Sequence, residues 1–211
     1  MDIKDTINLI RKYGEKLGQK NMTPGTSGNL SMRFEDNYLI TASGTCLADL
    51  SEDDVVLMDN KANVLYGDKK PSSEKHLHIK IYEMRPDINS IFHCHSPYVS
   101  AFAVTHTPLS KPIISENVFY FGEIPLADYA MPSSQALVDN TAKFFVKHNA
   151  VLMANHGIIL GGKDIKDAYY MMETAETYAQ IYLMSKLLGE SVDLSKEHIE
   201  EIYGLRKAMG R

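Results

Sequence analysis

Cysteine is nearly missing from this chain: only Cys46 and Cys94 are present. Two thiols cannot build a disulfide framework, so a cross-linked secreted scaffold is excluded. No apolar run approaches the length of a membrane span, and residues 1–16, MDIKDTINLIRKYGEK, lack the apolar core of a signal peptide. The expectation is therefore a cytoplasmic protein with no membrane partner. Positive charge is also short, with 22 basic residues against 27 acidic ones and a formal net charge of −5. That balance leaves no electrostatic footprint for nucleic acid. No Walker or dinucleotide fingerprint occurs, so a nucleotide is not implied. Internal repeats and low-complexity stretches are absent as well.

What remains is an ordinary mixed chain, 44% hydrophobic and 23% charged, long enough at 211 residues for one substantial core. No boundary divides residues 1–211, and a single domain is expected. Ile3, Ile7, Ile10, Tyr13 and Leu17 recur at helical spacing. NLSMRF, NYLITASG, VVLMD and NVLY then read as short strands around polar turns. PSSEKHLHIKIYEMRP reads as a helix opened by Pro71 and two serines and closed by Pro86. Further strands are predicted at 90–95, near EIPLADY, and over AVLMANHG and IILGG. Helices are predicted at 97–104, 133–148, from Asp164 onward and at 195–207. Strands alternating with helices, with hairpins at the front, predict one α/β sheet covered by helices on both faces.

SIFHCHSPY, residues 90–98, poses a chemical question. In a strand His93 and His95 face one way and Cys94 the other. Two imidazoles roughly 7 Å apart along one face can converge on a metal ion. Two hydrogen-bonded core histidines would produce the same pattern, and Cys94 reads as a small buried hydrophobe. His156 stands at the end of an apolar strand directly before Gly157, where a turn-capping role competes with a third ligand. Three imidazoles would form a tripod with an open position, the arrangement of catalytic zinc. His78 shares the face of Glu74 one turn on, whereas His76 points away. His106, His148 and His198 fall at loops or helix ends and are expected to be solvated.

KKPSSEKH carries a second group. Ser72 and Ser73 suit a helix start, where capping alone would explain them. Free N–H groups and hydroxyls at that point also suit an anion. Glu74 in a first turn is ordinarily a dipole-stabilising carboxylate. GTSGN and ASG are two more small turns, whose Thr26, Asn29 and Ser43 offer hydrogen-bond donors beside glycines that admit close approach.

Taken together, the order GTSGNLS, ITASG, PSSE, HCH and NHG resembles the class II aldolase/adducin family, over about residues 5 to 190. Within it the motifs are most similar to those of the members that cleave fuculose phosphate. The resemblance implies a mixed, largely antiparallel sheet between helical layers, assembled as a homotetramer with active sites at subunit interfaces. It implies a divalent metal, usually zinc, held by His93, His95, His156 and Glu74. It implies a substrate phosphate held by Thr26, Asn29, Ser43, Gly44, Ser72 and Ser73. YGLR, residues 203–206, makes Tyr203 a candidate active-site tyrosine, against the plainer role of anchoring the last helix.

The reaction so implied is reversible cleavage of a ketose 1-phosphate to dihydroxyacetone phosphate and a small aldehyde, with Glu74 moving a proton. The aldehyde stays open. Fuculose-phosphate-cleaving members carry a neighbouring subunit's tyrosine where this chain reads PIISENV; the nearest tyrosines are Tyr120 and Tyr129. Relatives cleaving 5-deoxyribulose or 5-methylthioribulose 1-phosphate are alternatives. So are ribulose-5-phosphate 4-epimerases, whose motif carries aspartate in place of Glu74, and dehydratases of the family. A non-catalytic adducin-like module is the alternative of a different class.

Overall fold

Side-chain alternation along residues 90–94 decides the architecture. Phe92 and Cys94 enter one apolar cluster and Ile91 the other, so this strand is buried on both faces. The computed structural model describes residues 2–210; the outermost residues of the expected domain, Met1 and Arg211, lie outside the described residues. Eight strands form one mixed sheet. They are β1 (Asn29–Phe34), β2 (Asn37–Thr41), β3 (Val55–Met58), β4 (Val64–Tyr66), β5 (Ser90–Cys94), β6 (Leu126–Ala127), β7 (Ala150–Met153) and β8 (Gly157–Gly162). Their spatial order is β4-β3-β2-β1-β5-β8-β7-β6. The β6–β7 pair is parallel and the six other pairings are antiparallel.

Helices cover both faces. On one side lie α1 (Ile3–Gln19), α3 (Pro97–Val104) and the long α6 (Ile165–Leu188). Ile7, Ile10, Leu17, Phe102, Met172 and Tyr178 pack there on Leu30, Phe92 and Ile158. On the other side α2 (Lys75–Met84) and α5 (Gln135–Ala142) set Leu77, Ile81 and Leu137 against Ile40, Ile91 and Ile159. The remaining α-helices among the described residues are the short α4 (Ser115–Tyr120) and the 13-residue α7 (Lys196–Ala208). None of the described helices is long and apolar enough to cross a membrane.

Local chemistry moved several expected boundaries. The helix expected from Pro71 begins at Lys75; Glu74 is its N-cap, and Ser72 and Ser73 sit in the turn before it. The strand expected through AVLMANHG stops at Met153, because Asn155 adopts a left-handed conformation (φ 55°) that turns the chain into β8. The helix expected over 133–148 is α5 followed by a 3-10 turn at Lys143–Val146. The sequence reading assigned no element to α4.

Candidate metal centre and anion pocket

The sheet register builds the site. In the ladder Asn29 lies opposite His93, and His93 opposite Ile159. β1, β5 and β8 are thereby locked side by side, with His95 just past the end of β5 and His156 in the turn entering β8. Gly157 makes this approach possible: a Cβ there would lie 2.4 Å from the Cys94 carbonyl oxygen and 3.0 Å from the His95 ring. Gly28 does the same on the other flank. At φ 80° it takes a conformation that side chains disfavour, and a Cβ would meet the His93 carbonyl at 2.7 Å.

The three imidazoles face one another. Ring centroids are 4.6 Å apart for His93–His95, 4.7 Å for His93–His156 and 4.9 Å for His95–His156, with the planes crossing at 66–78°. His93 Nδ1 lies 2.9 Å from the Ile158 carbonyl, an acceptor only, so that nitrogen is the donor and Nε2 is the atom turned inward. His93 Nε2 is 2.8 Å from His95 Nε2 and 3.2 Å from Glu74 Oε2. His156 Nε2 lies 3.4 Å from Glu74 Oε1. Asn29 Nδ2 donates to Glu74 Oε2 at 3.1 Å, which fixes the carboxylate against the rings. Asn29, expected as a phosphate ligand, thus also holds Glu74.

Electrostatics keep this cluster ready for a cation. Burial, reinforced by His93 and His156, pushes the His95 imidazole down to about 3. Burial and then His93 push His156 down to about 4. Burial alone would raise the Glu74 carboxyl, but His93, His156 and the Asn29 amide outweigh it and hold it below its ordinary range. Near neutral pH the site is therefore two neutral imidazoles beside an ionised carboxylate, with His93 aimed at both. Ligating atoms of His93, His95 and His156 lie within 4.8 Å of one another. Three imidazole nitrogens converging beside a carboxylate, with the buried Nδ1 of His156 left without a hydrogen-bond partner among the described residues, are a donor set that suits a divalent cation. The residues fit the metal.

Around the cluster lies a cavity of about 160 Å³. Thr26, Asn29, Ser43, Gly44, Ser72, Ser73, Glu74, His93, His95 and His156 all line it. Thr26, Ser43, Gly44 and Ser73 are exposed at its mouth, while Asn29, Ser72, Glu74 and His93 are buried at its base. Larger hollows, about 380 Å³ between α4 and α6 and about 530 Å³ along β3 and β4, have no histidine in their walls.

Tyr203 stands apart from this cavity. It sits half exposed on α7, against Gly122 just past α4, in a separate hollow lined also by Lys147, His148 and Arg206. Tyr120 ends α4 and Tyr129 is exposed in a loop. His198 and His106 are exposed as expected, but His106 Nε2 lies 2.6 Å from Asn155 Oδ1, next to His156. His148, expected to be solvated, is largely covered, with Nε2 3.6 Å from Glu123. His78 is fully buried: Nδ1 lies 2.7 Å from Ser31 Oγ, which in turn lies 2.8 Å from the Tyr82 hydroxyl.

Sequence reasoning missed Glu176. It lies on the buried face of α6 and accepts from the Ser96 hydroxyl next to His95 and from the Tyr98 and Val99 amides at the start of α3. Its signal was present: one carboxylate within the run Ala168, Met172, Ala175, Ala179, all buried.

The family model described as Class II Aldolase and Adducin N-terminal domain matches residues 8–183. A 5-deoxy-D-ribulose 1-phosphate aldolase of Bacillus thuringiensis serovar kurstaki is 34% identical over 196 residues, covering 92% of this chain and 91% of that one. An L-fuculose phosphate aldolase of Methanocaldococcus jannaschii is 36% identical over 188 residues, covering 89% of this chain and 99% of that one. A solved L-fuculose 1-phosphate aldolase superposes with a TM-score of 0.92 at 34% identity, covering 98% of each chain.

Proposed function

From the chain's membership of the class II aldolase and adducin family, we propose that it is a zinc-dependent aldolase. It reversibly cleaves a ketose 1-phosphate to dihydroxyacetone phosphate and a small aldehyde. The observation that carries this reading is the gathering of three imidazoles, Glu74 and three hydroxyl-bearing turns around one cavity.

His93, His95, His156 and Glu74 would hold the ion. When bound it supplies a Lewis acid for the negative charge that develops on the substrate oxygens as the carbon–carbon bond breaks. Thr26, Ser43, Gly44, Ser72 and Ser73, with Asn29, hold the phosphate at the cavity mouth and so orient the reacting carbons. Glu74 moves the proton. Cleavage releases a proton from the hydroxyl that becomes the aldehyde carbonyl, and the dihydroxyacetone phosphate carbon must take one up. Glu74 is ionised and sits at the base of the cavity, so it serves as the base in condensation and, once protonated, as the donor in cleavage.

The proposal includes a homotetramer of 1–211 domains in the cytoplasm, where the two free cysteines suit a reducing compartment. In that assembly Tyr203, which lies outside its own chain's cavity, is the candidate active-site tyrosine. Two aldehydes are in view. A 6-deoxyhexulose phosphate leaves a three-carbon hydroxyaldehyde, whereas the 34%-identical 5-deoxyribulose phosphate relative supports acetaldehyde. Incubating pure protein with zinc, dihydroxyacetone phosphate and each aldehyde in turn tests the reading. Formation of a ketose 1-phosphate that stops on chelation is expected; no condensation with any aldehyde would contradict it.

A further inference from the structure

We propose that Glu176 is a positioning residue for His95, acting from α6 through the turn that carries the ligand; this rests on the metal-centre reading above. Its carboxylate is buried, and burying a charge is costly unless its oxygens are satisfied. They are. Oε2 accepts from Ser96 Oγ at 2.8 Å and from the Val99 amide at 3.0 Å, and Oε1 accepts from the Tyr98 amide at 2.9 Å. These are the donors at the start of α3. Pro97 has no N–H, and the Ser100 amide already reaches the Ser96 carbonyl at 3.0 Å.

Ser96 occupies the N-cap position of α3, yet its buried side chain makes no cap and donates instead to Glu176. A carboxylate 80 residues away in sequence therefore does the work of a local cap, at the end of the helix that favours negative charge. The consequence falls on His95. Its backbone amide donates to the Met22 carbonyl at 3.1 Å on one side, and Ser96 is pinned by Glu176 on the other. Gly157 closes on the ring itself. One turn along α6, Gln180 Nε2 donates to the Tyr98 hydroxyl at 3.2 Å and extends the same seam. Had α3 needed only a cap, Ser96 would serve; the long-range carboxylate ties the His95 turn to the sheet's rear helix.

The test is a Co²⁺ titration of metal-stripped protein, read by visible absorption, on wild type, Glu176→Gln and Ser96→Ala. Asp164→Ala is the control, since Asp164 caps α6 by accepting the Asp167 amide at 2.8 Å and touches nothing in the cavity. Glu176→Gln should weaken Co²⁺ binding about 10- to 100-fold and shift the ligand-field bands, the usual size of a lost support behind a metal ligand. Ser96→Ala should shift both in the same direction by less, and it keeps the question open to test if Glu176→Gln does not fold. Asp164→Ala should lower the melting temperature and leave the spectrum unchanged. Wild-type affinity and bands in either folded variant would overturn the role of Glu176 alone. A wild type that takes up no Co²⁺ would overturn the metal reading, and this inference with it.

Discussion

His93, His95 and His156 come from a strand, a turn after it and a hairpin tip, yet none is replaceable by local adjustment. Each offers one ligand atom, and the three lie within 4.8 Å of one another, close enough to share one ion. His156→Ala should therefore abolish metal-dependent activity and metal content together, measured by elemental analysis, while exposed His198→Ala leaves both unchanged. His78 belongs to the residue scale for another reason. It is fully buried, and burial pushes its imidazole down to about 3 from an ordinary value near 6.5. The folded state thus keeps it neutral while the unfolded chain protonates it. Its stabilisation is complete above about pH 6.5 and is lost as pH falls toward 3. Between pH 7 and pH 5 the metal-stripped protein should lose about 2 kcal/mol of stability through His78, with the likewise depressed His95 and His156 adding in the same direction. Urea midpoints at the two pH values check this; a midpoint that does not fall on acidification would contradict it.

At the scale of elements, the turn before α2 separates capping from binding. Glu74 is the N-cap of α2, and Ser72 Oγ accepts the Glu74 amide at 3.3 Å, so the serines are not caps of that helix. Exposed Ser73 borders the cavity mouth. Ser73→Ala should leave the melting temperature nearly unchanged, since no helix cap worth about 1 kcal/mol is lost, and should raise KM for phosphorylated ketose at least several-fold. Equal KM values would remove Ser73 from the phosphate site. Legibility divides on the same line. Helices α1 and α6 were readable because period-3.6 burial is written in local sequence, and β1, β2 and β5 because short apolar runs between polar turns mark strands even where both faces are buried. The His-x-His pair was readable because a strand turns alternate residues to one face. The turn at Asn155 was not, because an apolar strand entering a hairpin looks like a strand until a positive φ ends it. Short α4 carries too few residues for a period. Glu176 escaped because a carboxylate on an apolar helix face signals burial but not its partners, which here begin with Ser96, 80 residues away. The cavity itself depends on the β1–β5–β8 register, which periodicity alone does not specify.

At the scale of the whole molecule, the sheet gathers the pocket and the two helical layers hold it from opposite sides. α2 brings Glu74 from one layer, and α6 fixes the His95 turn from the other through Glu176. The central claim is that this assembled base, Glu74, moves a proton at the carbon of dihydroxyacetone phosphate. Aldol chemistry requires that step, whereas 4-epimerisation breaks and remakes one carbon–carbon bond without it. The direct measurement is deuterium incorporation from D₂O into dihydroxyacetone phosphate with no aldehyde present, for zinc-loaded wild type and Glu74→Gln at checked metal content. Wild type should exchange one hydrogen stereospecifically, and Glu74→Gln should exchange it roughly 10²–10⁴-fold more slowly, the usual contribution of a general base. A wild type that exchanges no deuterium but interconverts pentulose 5-phosphates would contradict the account and replace the aldolase by an epimerase.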